Sequence, residues 1–441
     1  MKRWIAFWLV WMAWTGPGLL HAATSLGEAR SFQTRGGIRV FLVENHANPM
    51  VEINLLTRGG SAFDPKGRDG VAYLTAWMFN EGAGGMDSET FRARLDDRGI
   101  QMDGNANRDT LEVNLTTLSE HLEEAVHLLA LAVTEPRFDP KDFARGQQEC
   151  IANAKQNREQ AEWLAGVRLN AMMFAGHPYA HPPTGTEEPL ARITLNDVRQ
   201  FHVKSFRAPQ MVLAVAGDVT PSALESLLER YLGGVDSRPS PHGAIPEIPS
   251  AKVGEAVHLT MESPQTAIQM GRVAMDREDA DYYPMLVLNQ LLGGPGLTSR
   301  LNQEIREKRG LTYGVHSQFS PLEMKGPFMV MMNTKTESVA EALGLIREQM
   351  RIVVREGVGE EELTDVKRYL VQSFPLNLDT LKKQAATWSL IGYYRRGVDY
   401  LRRWPERVEG VRREDVARVA RRMLDPDHYF TVTVGKRAEK K

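Results

Sequence analysis

The 441-residue sequence holds one cysteine, Cys150. An internal disulfide is therefore excluded, whatever the redox state of its compartment. Neither sign of charge is in excess: 54 Lys and Arg face 56 Asp and Glu, a formal net of −2. Nothing in that bulk charge points to nucleic acid or to an anionic membrane. The doublets Arg395-Arg396, Arg402-Arg403 and Arg412-Arg413 are interspersed with Glu and Asp, which suits a solvated helical face better than a polyanion site. Long apolar runs are missing too. Trp4–Trp14 spans 11 residues, too few for a bilayer, which takes about 20.

That short run suits export instead. Lys2 and Arg3 precede it, Thr15-Gly16-Pro17-Gly18 ends it, and Leu20-His21-Ala22-Ala23 offers small residues for cleavage. This pattern predicts a signal peptide over 1–23, cut near Ala22 or Ala23, and a periplasmic chain without stable membrane insertion. An uncleaved anchor or a buried helix is the alternative. No cysteine stands directly after the cleavage region, so lipid attachment there is not supported. The remainder, 42% hydrophobic and 25% charged over the whole chain, is ordinary globular composition with room for two domains.

The chain also repeats itself. Ser119–Val126 is echoed by Glu337–Leu343, Leu195–Phe201 by Arg413–Val419, and Met211–Gly217 by Tyr429–Gly435. Gly217 and Gly435 are 218 residues apart, as are Asp197 and Asp415. So long a period means duplicated domains rather than a solenoid. Gly233–Glu255 is rich in Pro, Gly and Ser and reads as a semi-rigid linker. The expected organisation is a first domain over 24–234, a linker over 235–255 and a second domain over 256–441.

Within each half, strands and helices mix. Ile38–Val43, Val51–Thr57 and Asp109–Leu118 alternate or run apolar and predict strands. Ser88 opens a helix that stops at Gly99, and Glu120–Val133 is amphipathic. Without strict strand–helix alternation, the class is α+β: two tandem units, each a mainly antiparallel sheet with helices packed on one face.

Several segments then carry a resemblance. They are Gly59-Gly60-Ser61, Gly70–Gly82 (GVAYLTAWMFNEG), His177-Pro178-Tyr179 with Gly185-Thr186, Ala216-Gly217-Asp218, and Gln290–Tyr313. Together they resemble the pitrilysin/insulinase-type zinc peptidases (inverzincins), which include processing peptidases, over nearly the whole mature chain. In active members the helix carries His-x-x-Glu-His, two zinc ligands one turn apart around a general base. Here those places read Tyr73, Ala76 and Trp77. Tyr ionises near about 10, Ala has no basic group, and an indole N–H only donates. The family's spacing puts its third ligand at Asn153, a poor substitute for a carboxylate; Glu149 lies four residues earlier. The resemblance thus implies no metal in this chain.

The family's Arg/Tyr segment, by contrast, has its counterpart in Arg306 and Tyr313, seven residues apart in Ser299–Val315. In the resemblance they bind substrate and stabilise the charge that develops when zinc-bound water attacks a peptide carbonyl. Arg300 and Arg309 are the fallback candidates; Asn289, Gln290 and Gly293-Gly294 shape the turn nearby. Leu301, Ile305 and Lys308 predict a helix, and Thr312–Val315 the start of a strand. His177 and His181 lie in a Pro-rich loop, and His121 and His127 on different faces of one helix, where solvated surface positions are expected. In the bacterial two-subunit branch of the family, one chain keeps the zinc motif and its sister lacks it but keeps Arg and Tyr. The resemblance implies that this chain is such a sister. It would be a non-catalytic subunit of a heterodimeric zinc endopeptidase that acts on unfolded peptides, with Zn²⁺ in a His-x-x-Glu-His partner. The alternative is an inert peptide-binding or scaffold protein of the same fold.

Overall fold

The computed structural model describes residues 28–249 and 254–437. The signal-peptide expectation over 1–23 lies outside the described residues. The first half contains β1 (Arg30–Gln33), β2 (Arg39–Glu44), β3 (Met50–Arg58), α1 (Val71–Trp77), α2 (Ser88–Asp96), β4 (Gln101–Ala106), β5 (Thr110–Leu118), α3 (Leu122–Thr134), α4 (Pro140–Arg158), α5 (Ala161–Met173), α6 (Glu187–Arg192), α7 (Leu195–Ser205), β6 (Val212–Gly217) and α8 (Pro221–Leu232). The second contains β7 (Ala256–Thr260), β8 (Thr266–Val273), α9 (Tyr282–Gly293), β9 (Val315–Phe319), β10 (Pro327–Thr334), α10 (Val339–Glu356), α11 (Glu360–Ser373), α12 (Leu381–Tyr393), α13 (Tyr400–Glu409), α14 (Arg413–Met423) and β11 (Phe430–Gly435).

The two sheets share one wiring. The first runs β1-β2-β6-β3-β5-β4 and the second β7-β11-β8-β10-β9. Only β2 with β6 and β7 with β11 pair in parallel; the other neighbours are antiparallel. The sequence repeat falls on equivalent elements. Asp197 at the start of α7 accepts from the Thr194 N–H at 2.8 Å, and Asp415 at the start of α14 from the Arg412 N–H at 3.1 Å. Each carboxylate satisfies a backbone donor that the first turn leaves free.

Period-two alternation places Val51, Ile53 and Leu55 of β3 and Leu213 and Val215 of β6 against the helices of their own half. The opposite face of each sheet is covered from the other half. Trp388 of α12 joins Phe41, Val43, Val212, Ala214 and Ala216 in one apolar cluster, and its ring stacks on Phe41 at 5.7 Å. Gly392 makes this approach possible: a Cβ there would stand 2.4 Å from Phe41 and 2.5 Å from Val212. Reciprocally, Ala165, Leu169 and Met173 of α5 pack on Ala267, Val432 and Val434 of the second sheet. Helix exchange of this kind makes the halves bury each other's sheets, and buried apolar area is the main source of cohesion.

From the end of α8 to residue 249 the described chain carries no regular element. It is pinned nevertheless. His242 Nε2 lies 3.0 Å from Ser205 Oγ, Ser240 Oγ donates to the Lys204 carbonyl at 2.8 Å, and Arg58 donates to the Gly243 carbonyl at 3.0 Å. Burial, helped by the Arg58 and Lys204 charges, lowers the His242 pKa to about 4.

Candidate functional site

Helix α1 starts under the control of Asp64, whose carboxylate accepts from the N–H groups of Gly70 (2.6 Å) and Ala72 (2.8 Å). From there the residues at the zinc-motif places diverge. Tyr73 packs half-buried against the core, where burial raises its phenol pKa. Ala76 and Trp77 line a cleft of about 540 Å³ together with Asn80, Glu81, Arg92, Asp103, Gly104, Arg145 and Glu149. The Trp77 ring lies against Gly146 of α4, where a Cβ would come within 2.3 Å of it. The Arg145 guanidinium stands 5.5 Å from the ring centroid. Glu81, 2% exposed, accepts from both Arg92 and Arg145, and Arg145 also reaches Asp142 at 2.9 Å. A buried carboxylate held by two guanidinium groups is a satisfied structural unit.

These residues do not fit zinc. Ala76 offers no donor atom, Trp77 only an N–H, and Glu81 is already committed to two cations. Among the described residues, no group of three or more His, Cys, Asp or Glu is placed to hold a metal. Glu149 lines the cleft and Asn153, one turn further along α4, is not among its lining residues; both are exposed. Counting along the chain leads to Asn153; the helix face that meets Trp77 leads to Glu149. Cys150 is buried, and burial pushes its thiol up to about 12, which leaves it unreactive at neutral pH.

His177, His181 and His127 have partners within the chain. His177 Nδ1 accepts from the Tyr179 N–H at 3.1 Å, and its Nε2 lies 2.9 Å from the Pro246 carbonyl, tying the Pro-rich loop to the linker. His181 is partly buried and lies only 3.3 Å from the Pro182 carbonyl next to it. His127 is not a solvated surface residue: it is half-buried and stacks on Tyr231 at 4.9 Å. The flanking helix α8 supplies the cover that a single-helix pattern cannot show.

The Arg306 segment departs from the expected α-helix. Asn302–Glu307 forms a π-helical turn, with the Lys308 N–H donating to the Gln303 carbonyl at 3.0 Å. Such turns widen a helix locally and are frequent at functional sites. Strand β9 begins only at Val315; Thr312–Gly314 is a turn closed by the Gly314 N–H on Thr312 Oγ1 at 3.1 Å. Tyr313 at its tip is 90% exposed, so it is not a half-buried strand aromatic. Asn302 fixes the turn's base, donating to the Val315 carbonyl at 2.9 Å, while Ser317 Oγ donates to Asn289 Oδ1 at 3.0 Å and Gln290 to the Pro295 carbonyl at 2.9 Å.

The neighbouring arginines are held differently. Arg300 grips Glu362 with two bonds of 2.7 Å, and Arg309 pairs with Glu304 at 2.6 Å. Among the described residues the Arg306 side chain pairs only with its neighbour Glu307, at 3.5 Å. It is the least committed of the three.

Three features lay outside what sequence reasoning found. One is the Glu81–Arg92–Arg145 unit. Another is Asp109, which binds Tyr179 and Tyr394 hydroxyls across the two halves. The third is Arg395-Arg396, which follows α12 at the junction of the halves rather than lying on a solvated helix face; Arg396 pairs there with Glu278 at 3.0 Å. Only the Tyr393-Tyr394 doublet beside it hints at a buried polar junction.

Known proteins were compared with this chain. The profile of the insulinase family (peptidase family M16) matches residues 39–187, and the profile described as the peptidase M16 inactive domain matches residues 192–370. A Helicobacter pylori protein named non-peptidase homolog YmxG is 28% identical over 359 residues, covering 79% of this chain and 81% of that one. The uncharacterized zinc protease YmxG of Bacillus subtilis is 23% identical over 352 residues, covering 80% and 85%. The crystal structure of a peptidase M16 inactive domain from Pseudomonas fluorescens superposes with a TM-score of 0.88 at 29% identity, covering 94% of this chain and 99% of that one.

Proposed function

Since this chain belongs to the insulinase family of peptidases, M16, but has none of the zinc-motif residues, we propose that it is the non-catalytic subunit of a periplasmic heterodimeric zinc endopeptidase. The observation that carries the reading is the exposure of Tyr313. A phenol 90% in water on a turn, seven residues beyond an arginine whose one ion pair among the described residues is a 3.5 Å contact with its neighbour, does nothing for this chain's own packing. A partner's substrate gives both groups a use. The partner supplies zinc, water and the general base. Arg306 and Tyr313 donate to the carbonyl oxygen of the bound peptide, hold it in line, and strengthen their hold as charge grows on that oxygen. Among the described residues no helix is long and apolar enough to cross a membrane.

The test co-expresses this chain with a His-x-x-Glu-His sister and follows cleavage of an unstructured peptide. Neither chain alone is expected to cleave. The pair should, and loss of one oxyanion donor should lower kcat by about 10²–10³. Stoichiometric zinc in the purified single chain sinks the reading. Activity of the pair that is unchanged by both Tyr313→Phe and Arg306→Ala leaves a scaffold subunit instead.

A further inference from the structure

A second cleft, of about 340 Å³, lies where the two halves meet, within the size range of small-molecule sites. Its walls carry four arginines: Arg39 of β2, Arg58 of β3, Arg277 beyond β8 and Arg395 beyond α12. Arg58 is committed to Glu323, at 2.9 Å. The other three have no carboxylate partner among the described residues. Arg39 donates to the Gly392 carbonyl at 2.5 Å, and Arg277 stands 4.2 Å from the Tyr394 ring centroid. Arg395 makes no side-chain hydrogen bond or ion pair among the described residues. Its charge nevertheless acts on Arg39, whose pKa is lowered first by burial and then by Arg395.

The acids of the cleft do not balance these groups. Glu323 is held by Arg58 and by the Tyr393 hydroxyl (2.7 Å), and Glu278 by Arg396 (3.0 Å). Of these acids Asp276 alone has no cation partner among the described residues, and it accepts from the Glu278 N–H at 2.8 Å. Two buried polar atoms of lining residues are also unpaired, Arg277 Nε and Gln210 Oε1. Turned over, the Gln210 amide would offer the cleft a further donor. Capping the C-terminus of α12 explains the one bond of Arg39. It does not explain the orphaned Arg277 N–H, which a native structure normally satisfies; Arg395 stands exposed at the rim, its charge free to meet a ligand.

We propose that this junction binds a small oxyanion, a phosphate or carboxylate group held by Arg39, Arg277 and Arg395, and that the bound anion ties the two halves together. Guanidinium forks match the oxygen spacing of both groups. A ligand that binds the closed junction and not the unfolded chain raises thermal stability by mass action. The proposal does not depend on the peptidase reading.

The test is calorimetric titration of the purified mature chain with inorganic phosphate and, separately, with citrate, at ionic strength matched by chloride. At least one arm should give saturable binding and a higher Tm. Phosphate alone identifies a phosphate site, citrate alone a carboxylate site. Arg395→Asn should weaken binding at least about tenfold, because Asn tolerates the left-handed backbone at φ 54°. Arg277→Gln should do the same, and the ligand-free Tm of Arg395→Asn should stay at wild type. No heat beyond chloride in either arm, or binding unaltered by both substitutions, overturns the proposal.

Discussion

Asp109→Ala probes how the halves are held. Asp109 is 2% exposed, and its carboxylate accepts from the Tyr179 hydroxyl, the Tyr394 hydroxyl at 3.2 Å and the Glu323 N–H at 2.7 Å. Tyr179 belongs to the first half, Glu323 and Tyr394 to the second. Deleting the carboxylate strands those donors. One buried donor left unsatisfied costs about 1–3 kcal/mol. Tyr179 is fully buried, whereas Tyr394 and Glu323 line the junction cleft, where water can replace the lost acceptor. One fully stranded donor therefore sets the loss at about 1–3 kcal/mol, a sizeable share of a typical stability of about 5–15. Asp109→Asn keeps one acceptor oxygen and should cost less.

The pH dependence has a definite sign. Burial raises the Asp109 pKa above the usual carboxylate value, outweighing the hydrogen bonds that lower it. The folded chain thus holds this proton more readily than the unfolded chain, so the contribution of Asp109 grows as pH falls through its folded pKa. Asn has no such dependence, and its cost should be larger at pH 4 than at pH 7. Urea unfolding followed by tryptophan fluorescence and circular dichroism measures all of this. A loss below about 1 kcal/mol for Asp109→Ala would refute the reasoning.

Four further outcomes are expected. Gly146→Ala should destabilise by about 1–3 kcal/mol through the Trp77 ring 2.3 Å from the new Cβ, with the loss recovered when Trp77→Ala is added; urea midpoints of the single and double variants decide it. His202, buried among Phe79, Phe138 and Phe206, is held at about 4 by burial. Its contribution is full above an unfolded value near about 6.5 and is lost as pH falls towards 4, by about 3 kcal/mol at most; His202→Leu should flatten that part of the stability–pH curve. Tyr313→Phe should leave Tm within about 1 °C of wild type, since surface changes mostly lie within about ±0.5 kcal/mol, even while kcat of the assembled pair falls. Finally, in the triple variant Tyr73→His, Ala76→Glu, Trp77→His, zinc measured by metal analysis should depend on Glu149 and not on Asn153; equal zinc after Glu149→Ala would return the third-ligand place to Asn153.

Much of the fold was legible because it is written in alternation. Strands β3 and β5 carry apolar residues at every second position, and both were expected within a residue or two of where they lie. Strand β4, Gln101–Ala106 (QMDGNA), was not visible. It is an edge strand whose buried residues are only Met102 and Ala106, and Asp, Gly and Asn are poor strand formers. Helix α4 hid for a related reason: its inward stripe is Asp142, Gly146, Cys150 and Ala154, small or polar at every turn. That stripe is what lets Trp77 lie close, so the feature that concealed the helix also shapes the cleft. The exchange of α5 and α12 between halves was beyond sequence reasoning, because an apolar helix face does not say which sheet it covers.

The two candidate regions differ in what the fold itself accounts for. At the zinc-motif places, packing is a sufficient explanation: Tyr73 joins the core, Trp77 fills the space over Gly146, and Glu81 with two arginines closes the wall. Stability alone would select such residues, so their identity carries no information about a ligand. At the Arg306 turn, packing explains the framework and stops short of the tip. Asn302 and Ser317 are bonded and buried and Asn289 is bonded and half-buried, while Tyr313 stands in water and Arg306, among the described residues, pairs only with its neighbour. An exposed phenol on a rigid base gives the monomer almost no stability. On the proposed reading, what that base provides is position, for a donor that serves something outside the chain.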